Sequence, residues 1–128
     1  MNASAPHLPN PAPIEAYGNG GFRFAGMSHR GSLLCLPSGI WTSPVRSAGE
    51  IDEAALALAL EPAAPEDGVD HFLIGTGKDF TAVSPALREA FRARRIVVES
   101  MSTGAAVRTY NILLGERRRI GALLVAVD

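Results

Sequence analysis

His71-Phe72-Leu73-Ile74-Gly75-Thr76-Gly77-Lys78 is a short apolar run stopped by a glycine-containing turn, the pattern of a buried strand. The residues downstream of this run decide the fold. Ser84-Pro85 pairs an N-cap with proline at the first helical position and predicts a helix to about Arg94. Arg95-Ile96-Val97-Val98-Glu99 is β-branched and strand-like. Ser102 or Thr103 caps a third helix, from about Gly104 to Leu114, which Gly115 ends. Ile120 to Val127 closes the chain as a strand. This strand–helix–strand–helix–strand order predicts crossover helices and parallel pairing of the first two strands. It leaves the direction of the last strand open.

Upstream, residues 14–46 read as β-rich. Gly18, Gly20 and Gly21 mark a turn, and Phe22-Arg23-Phe24-Ala25 alternates as a half-buried strand does. Met27 to Ser32 reads as a hairpin connection. Leu33-Leu34-Cys35-Leu36 and Ile40-Trp41-Thr42 are further strands, stopped by Pro37 and Pro44. Asp52 can cap an Ala- and Leu-rich helix over Glu53–Glu61, ended by Pro62. The prediction is a single α/β domain over residues 14–128. It has crossover helices and an N-terminal hairpin or small β-layer. Residues 1–13 carry four prolines and are expected to form a flexible tail.

Composition removes several functions. Net charge is −1, without the excess of Lys and Arg that nucleic acid demands. The longest greasy stretch, Ile120–Val127, is broken by Gly121 and falls short of the ~20 residues of a membrane span. Cys35 is the only cysteine, so no internal disulfide forms, and the N-terminus has no basic start or apolar core of a secretory signal. A cytoplasmic location is expected. His7, His29 and His71 have no metal-binding spacing, and Cys35 sits in a greasy strand that blunts a thiol. Neither a metal nor a cofactor is expected, and the residues lean away from catalysis.

Two segments could bind. Gly75, Thr76, Gly77 and Lys78 follow a strand, where α/β sheets take ligands, and their backbone could meet an anion. The other reading is a tight turn that needs glycine. Met101, Thr103, Arg108, Tyr110 and Asn111 surround a helix start and could line a pocket with that turn. The other reading is a capped helix packed on the sheet. Glu116, Arg118 and Arg119 could meet an acidic partner, or be a solvated turn.

Taken in order, Tyr17-Gly18, Gly20-Gly21-Phe22, Gly31-Ser32-Leu33-Leu34, Leu36-Pro37, Gly75-Thr76-Gly77, Met101 to Ala106, Arg108 to Leu114, Glu116 and Arg118-Arg119 resemble a known family of small domains. That family includes mitochondrial complex I assembly factor three and the adipogenesis-associated domain-containing protein, with bacterial and archaeal members. The resemblance spans about residues 14–127. It implies a three-layer α/β fold with a central mixed sheet, in agreement with the pattern of the residues, and a non-catalytic assembly role with a protein partner, such as a respiratory-complex subunit. Val107 stands where many relatives carry cysteine, which argues against an essential thiol there. Two functions compete: a binding or assembly protein, and a binder or enzyme for an anionic small molecule, with its pocket between Gly75–Lys78 and Met101–Asn111. A twofold homodimer is the default association for such a domain.

Overall fold

The computed structural model describes residues 6–128. Among them run β1 (Ile14–Gly18), β2 (Gly21–Phe24), β3 (Met27–Arg30), β4 (Ser32–Leu36) and β5 (Gly39–Ser43). Then come α1 (Ala57–Leu60), β6 (His71–Gly75), α2 (Pro85–Ala93), β7 (Val97–Met101), α3 (Thr103–Gly115) and β8 (Ile120–Leu124). Five strands form one mixed sheet in the order β5-β4-β8-β6-β7, and β1-β2-β3 form a separate antiparallel meander. The last strand is central: β8 pairs parallel with β6 and antiparallel with β4.

Apart from Ser32 and His71 at their starts, β4, β6 and β8 are apolar because both faces of the sheet are covered. Leu34, Leu36, Phe72, Ile74 and Leu123 point to one side and pack with Leu56, Leu60, Leu87 and Phe91 from the α1 and α2 layer. The Phe72 and Phe91 rings stack there with centroids 5.2 Å apart. Leu33, Cys35, Leu73, Ala122 and Leu124 point the other way, against Val107 and Tyr110 of α3 and Phe22 and Phe24 of the meander. The three layers are therefore α1 and α2, the mixed sheet, and α3 with the meander.

Several boundaries differ from expectation, each for a local reason. The hairpin connection expected at Met27–Ser32 is instead mostly strand β3. Asn19-Gly20 and Ala25-Gly26 both sit at positive φ, making two tight hairpins whose pairs are Gly18↔Gly21 and Phe24↔Met27. β3 is polar because it lies at the open edge of the meander. The helix expected over 53–61 shortens to one turn, Ala57–Leu60. Leu56 N–H and Ala57 N–H bond three residues back rather than four, and the Asp52 carboxylate caps Ala55 N–H at 2.9 Å. β7 starts at Val97, because Arg95 adopts φ 60° and closes α2. Of the expected tail, residues 1–5 lie outside the described residues. Leu8 pairs with Ile40 on β5, with Ile40 N–H donating to Leu8 O at 2.8 Å.

The His29 ring lies 5.0 Å from that of His7 and 6.1 Å from that of Phe24, and among the described residues its Nε2 has no partner. Burial, and then the proximity of His7, hold His29 below the usual histidine value of 6.5. A depressed histidine binds its proton more weakly folded than unfolded. Its contribution is therefore complete above pH 6.5 and is lost as pH falls below that value towards the folded pKa. Urea unfolding at about pH 7 and about pH 5 is expected to show the parent losing more stability than His29→Leu. Equal pH slopes would refute it.

Candidate functional site

The carboxyl ends of β6, β7 and β8 are tied together by a compact set of hydrogen bonds. Thr76 N–H donates to Met101 O at 2.8 Å, and Val125 N–H donates to Gly75 O at 2.9 Å. Gly77, at φ 109°, turns the chain so that its N–H donates to Thr103 Oγ1 at 2.9 Å and its carbonyl accepts from Thr103 N–H at 2.8 Å. The Thr103 hydroxyl then donates to Val125 O at 2.7 Å. Thr103 is fully buried and so joins all three strand ends. The Thr76 hydroxyl donates to Asp79 O at 2.7 Å and accepts from Thr81 N–H at 3.0 Å. Ser102 caps α3 by accepting from Ala105 N–H at 3.4 Å.

Above this scaffold opens a cleft of about 990 Å³ at the strand ends. Its wall includes Lys78, Arg108 and Arg46, all exposed, with Asp79 and Asp128 also on the lining. Among the described residues, no carboxylate lies within 4.0 Å of those three cations. Tyr17 lies over Gly104, where a Cβ would run into its hydroxyl.

The structure brings Thr76, Gly77, Lys78 and Arg108 together on the cleft wall. Gly75 and Thr103 lie beneath it, and Gly75 approaches so closely that a Cβ there would sit 3.0 Å from Thr103 Cα. Met101 is half-buried and supplies its carbonyl to Thr76. Tyr110 and Asn111 do not line the cleft. Tyr110 is fully buried, with Cys35 against its hydroxyl. Asn111 accepts from Ile14 N–H at 2.8 Å and donates to Ile14 O at 2.9 Å, binding β1 to α3 beside a break in the β1–β2 register. Glu116, Arg118 and Arg119 follow the far end of α3, away from the cleft. Arg119 donates to Gly68 O and Pro65 O, both at 2.9 Å, while Arg118 and Glu116 form an exposed pair at 3.8 Å.

Sequence reading passed over Tyr17, Arg46, Gly49 and the segment after β8, all of which line the cleft. The last could not be marked from the sequence: residues beyond a strand gather at a ligand-binding edge only where that strand runs parallel, and the direction of β8 is set by its pairing with β6. Cys35 is buried, and burial pushes its thiol up to about 12, a rise that the neighbouring Tyr110 hydroxyl partly offsets. Burial, followed by the neighbouring Cys35, likewise raises Tyr110. Neither group is poised as a nucleophile. Among the described residues, no group of three His, Cys, Asp or Glu side chains could hold a metal ion, and no helix is long and apolar enough to cross a membrane.

Residues 14–125 match a family described as protein of unknown function (DUF498/DUF598). An uncharacterised protein of Rhodobacter capsulatus is 40% identical over 128 residues, covering 98% of this chain and 93% of that protein. Mouse NADH dehydrogenase [ubiquinone] 1 alpha subcomplex assembly factor 3 is 31% identical over 120 residues, covering 92% of this chain. The chain spans only 62% of the mouse protein's length. The crystal structure of an outer membrane protein from Bartonella henselae superposes with a TM-score of 0.89 at 47% identity, covering 95% of this chain and 100% of that one.

Proposed function

The chain belongs to this DUF498/DUF598 family, and on that premise we propose that it binds a protein partner and assists assembly rather than catalysing a reaction. The mouse relative's name supports the finer reading that the partner is a subunit or assembly factor of respiratory complex I. The observations that carry the binding face are the open edge of β7, with one exposed aliphatic side chain on it, and a second exposed aliphatic side chain on the outer face of α3. Ile112 is 62% exposed on α3, and Val97 is 58% exposed on β7. β7 is an edge strand. Val97 N–H donates to Asp70 O and Met101 O accepts from Thr76 N–H, so by alternation the backbone groups of Val98 and Ser100 face outward. An open edge beside exposed aliphatic groups is a ready docking strip. Glu116 and Arg118 supply a polar rim at the end of α3.

The test is capture through a C-terminal tag from native cells, with bound proteins identified against an untagged control. Subunits or assembly factors of a respiratory complex are expected. Ile112→Glu should lower their recovery about tenfold, because a charge placed in a desolvated contact costs well over ~1 kcal/mol. Ile112 is exposed, so the melting temperature should not move. Failure to recover such proteins, or equal recovery with Ile112→Glu, sinks the reading. A twofold dimer through the β7 edge is the competing occupant and would appear as concentration-dependent mass in sedimentation. We place the protein in the cytoplasm. Fractionation of the same cells checks this, and recovery with the outer membrane, in keeping with the Bartonella relative's name, would overturn it.

A further inference from the structure

The cleft at the strand ends does not stop at its charged wall. It shares Ala48, Gly49, Thr76 and Thr81 with a second, more enclosed recess of about 220 Å³. That recess is lined by Ile51, Ile74, Val83 and Leu87. Ile74 and Leu87 are core residues of the α2 side, and Ile51 and Val83 pack against the same core. A vestibule lined by three cations and the carboxylates of Asp79 and Asp128 thus adjoins an apolar recess, with Ala48, Gly49, Thr76 and Thr81 on their shared border. In that border the Thr76 hydroxyl is bonded to Asp79 O and Thr81 N–H, so it is not free to bind a ligand head.

We propose that cleft and recess form one bipartite site for a small single-chain amphiphile with an oxyanion head. Lys78, Arg46 and Arg108 face the head. They are exposed and have no carboxylate within 4.0 Å among the described residues, so a bound oxyanion would not displace an existing partner. The body of the ligand lies between Ile51, Ile74, Val83 and Leu87. An apolar recess with a few convergent charges is the usual make-up of a small-ligand site. This site adjoins the α3 face assigned to a protein partner at Arg108, one helical turn before Ile112, but it does not depend on that assignment.

Gly49 supplies a clean control. It lines both cavities, a Cβ there meets nothing within 4 Å, and its backbone is outside the left-handed region. Gly49→Leu should therefore plug the junction without disturbing the fold. The probes are butyrate, hexanoate, octanoate, octyl phosphate, octanol and inorganic phosphate, followed by backbone amide shifts in the full chain.

Octanoate or octyl phosphate should shift Lys78 and Gly104 together with Ile51 and Leu87, and saturate. Affinity should rise about fourfold per methylene until the recess fills, the ratio that one buried methylene sets. Octanol and inorganic phosphate, each lacking one half, should bind at least about tenfold more weakly. Gly49→Leu should abolish the chain-length dependence, and Lys78→Ala with Arg108→Ala the preference for a charged head. Comparing octanoate with octyl phosphate identifies the head, either answer agreeing with the proposal. Shifts scattered over the surface, no dependence on chain length, or unchanged binding by the variants would overturn it. Loss of partner capture in the Ile112→Glu experiment bears on the protein-partner reading alone, because the ligand readouts are taken on the parent chain and its Gly49, Lys78 and Arg108 variants.

Discussion

Thr103→Val is expected to lower folding stability by about 2–4 kcal/mol, through two bonds that its hydroxyl alone makes. Valine keeps the shape, so no cavity opens. The Gly77 N–H loses its acceptor and the Val125 carbonyl loses its donor, and both lie under the strand ends where the side chain is fully buried. A buried backbone group left without a partner costs about 1–3 kcal/mol, far more than the net value of the bond itself. Thr103→Ser is the control. It keeps the hydroxyl, loses one methyl group, and should cost about 1 kcal/mol. Urea unfolding of both variants decides the matter, and equal losses would show that methyl packing, not hydrogen bonding, holds this position. Because Gly77 and Val125 both line the cleft, Thr103→Val should also weaken octanoate binding.

Thr103 also shows what could be read from the sequence. Its position after a strand and at a helix start marked it as site chemistry. The structure gives that chemistry an internal address, the backbone of two neighbouring strand ends. The alternation from His71 to Val127 was legible because it is local: apolar runs of strand length, Ser84 and Ser102 as caps, and Pro85 in the first turn. Both helix ends fell within about one residue of expectation, but the device that closes them was not legible. Arg95 and Arg117 sit at φ 60° and 61°, where glycine would have been the signal. Each is enforced by backbone bonds, Arg95 N–H to Arg92 O with Ile96 N–H to Phe91 O, and Arg117 N–H to Leu114 O with Arg118 N–H to Leu113 O.

The central place of β8 was hidden too, since it depends on two packing layers at once. Gly121 looked like an interruption of the last strand. In the sheet it admits the Phe72 ring, which a Cβ would meet at 2.9 Å. The cleft was only half legible for a similar reason. Gly75–Lys78 and Arg108 announced themselves, whereas Arg46 and Gly49 reach the cleft only because β5 runs antiparallel to β4, which itself runs antiparallel to β8.

Tyr110 supplies the second large effect. Tyr110→Ala is expected to cost about 3–5 kcal/mol, the usual loss for an aromatic side chain cut from a packed core. It is fully buried among Leu33, Cys35, Leu73, Leu124 and the meander phenylalanines, with no water-filled route for relaxation at the cleft, which it does not line. Tyr110→Phe is expected to change stability by less than about 1 kcal/mol. The hydroxyl has no oxygen or nitrogen partner and faces only the Cys35 thiol, so removing it sacrifices a weak contact and relieves the burial of a polar group. Thermal and urea unfolding of the pair separate ring from hydroxyl. A loss with phenylalanine as large as with alanine would mean that the Tyr110–Cys35 contact, and not ring packing, holds this part of the core. Partner capture and octanoate affinity should stay at parental values in Tyr110→Phe. A fall in either, at unchanged stability, would bring the hydroxyl into function and require α3 to move away from the sheet to expose it.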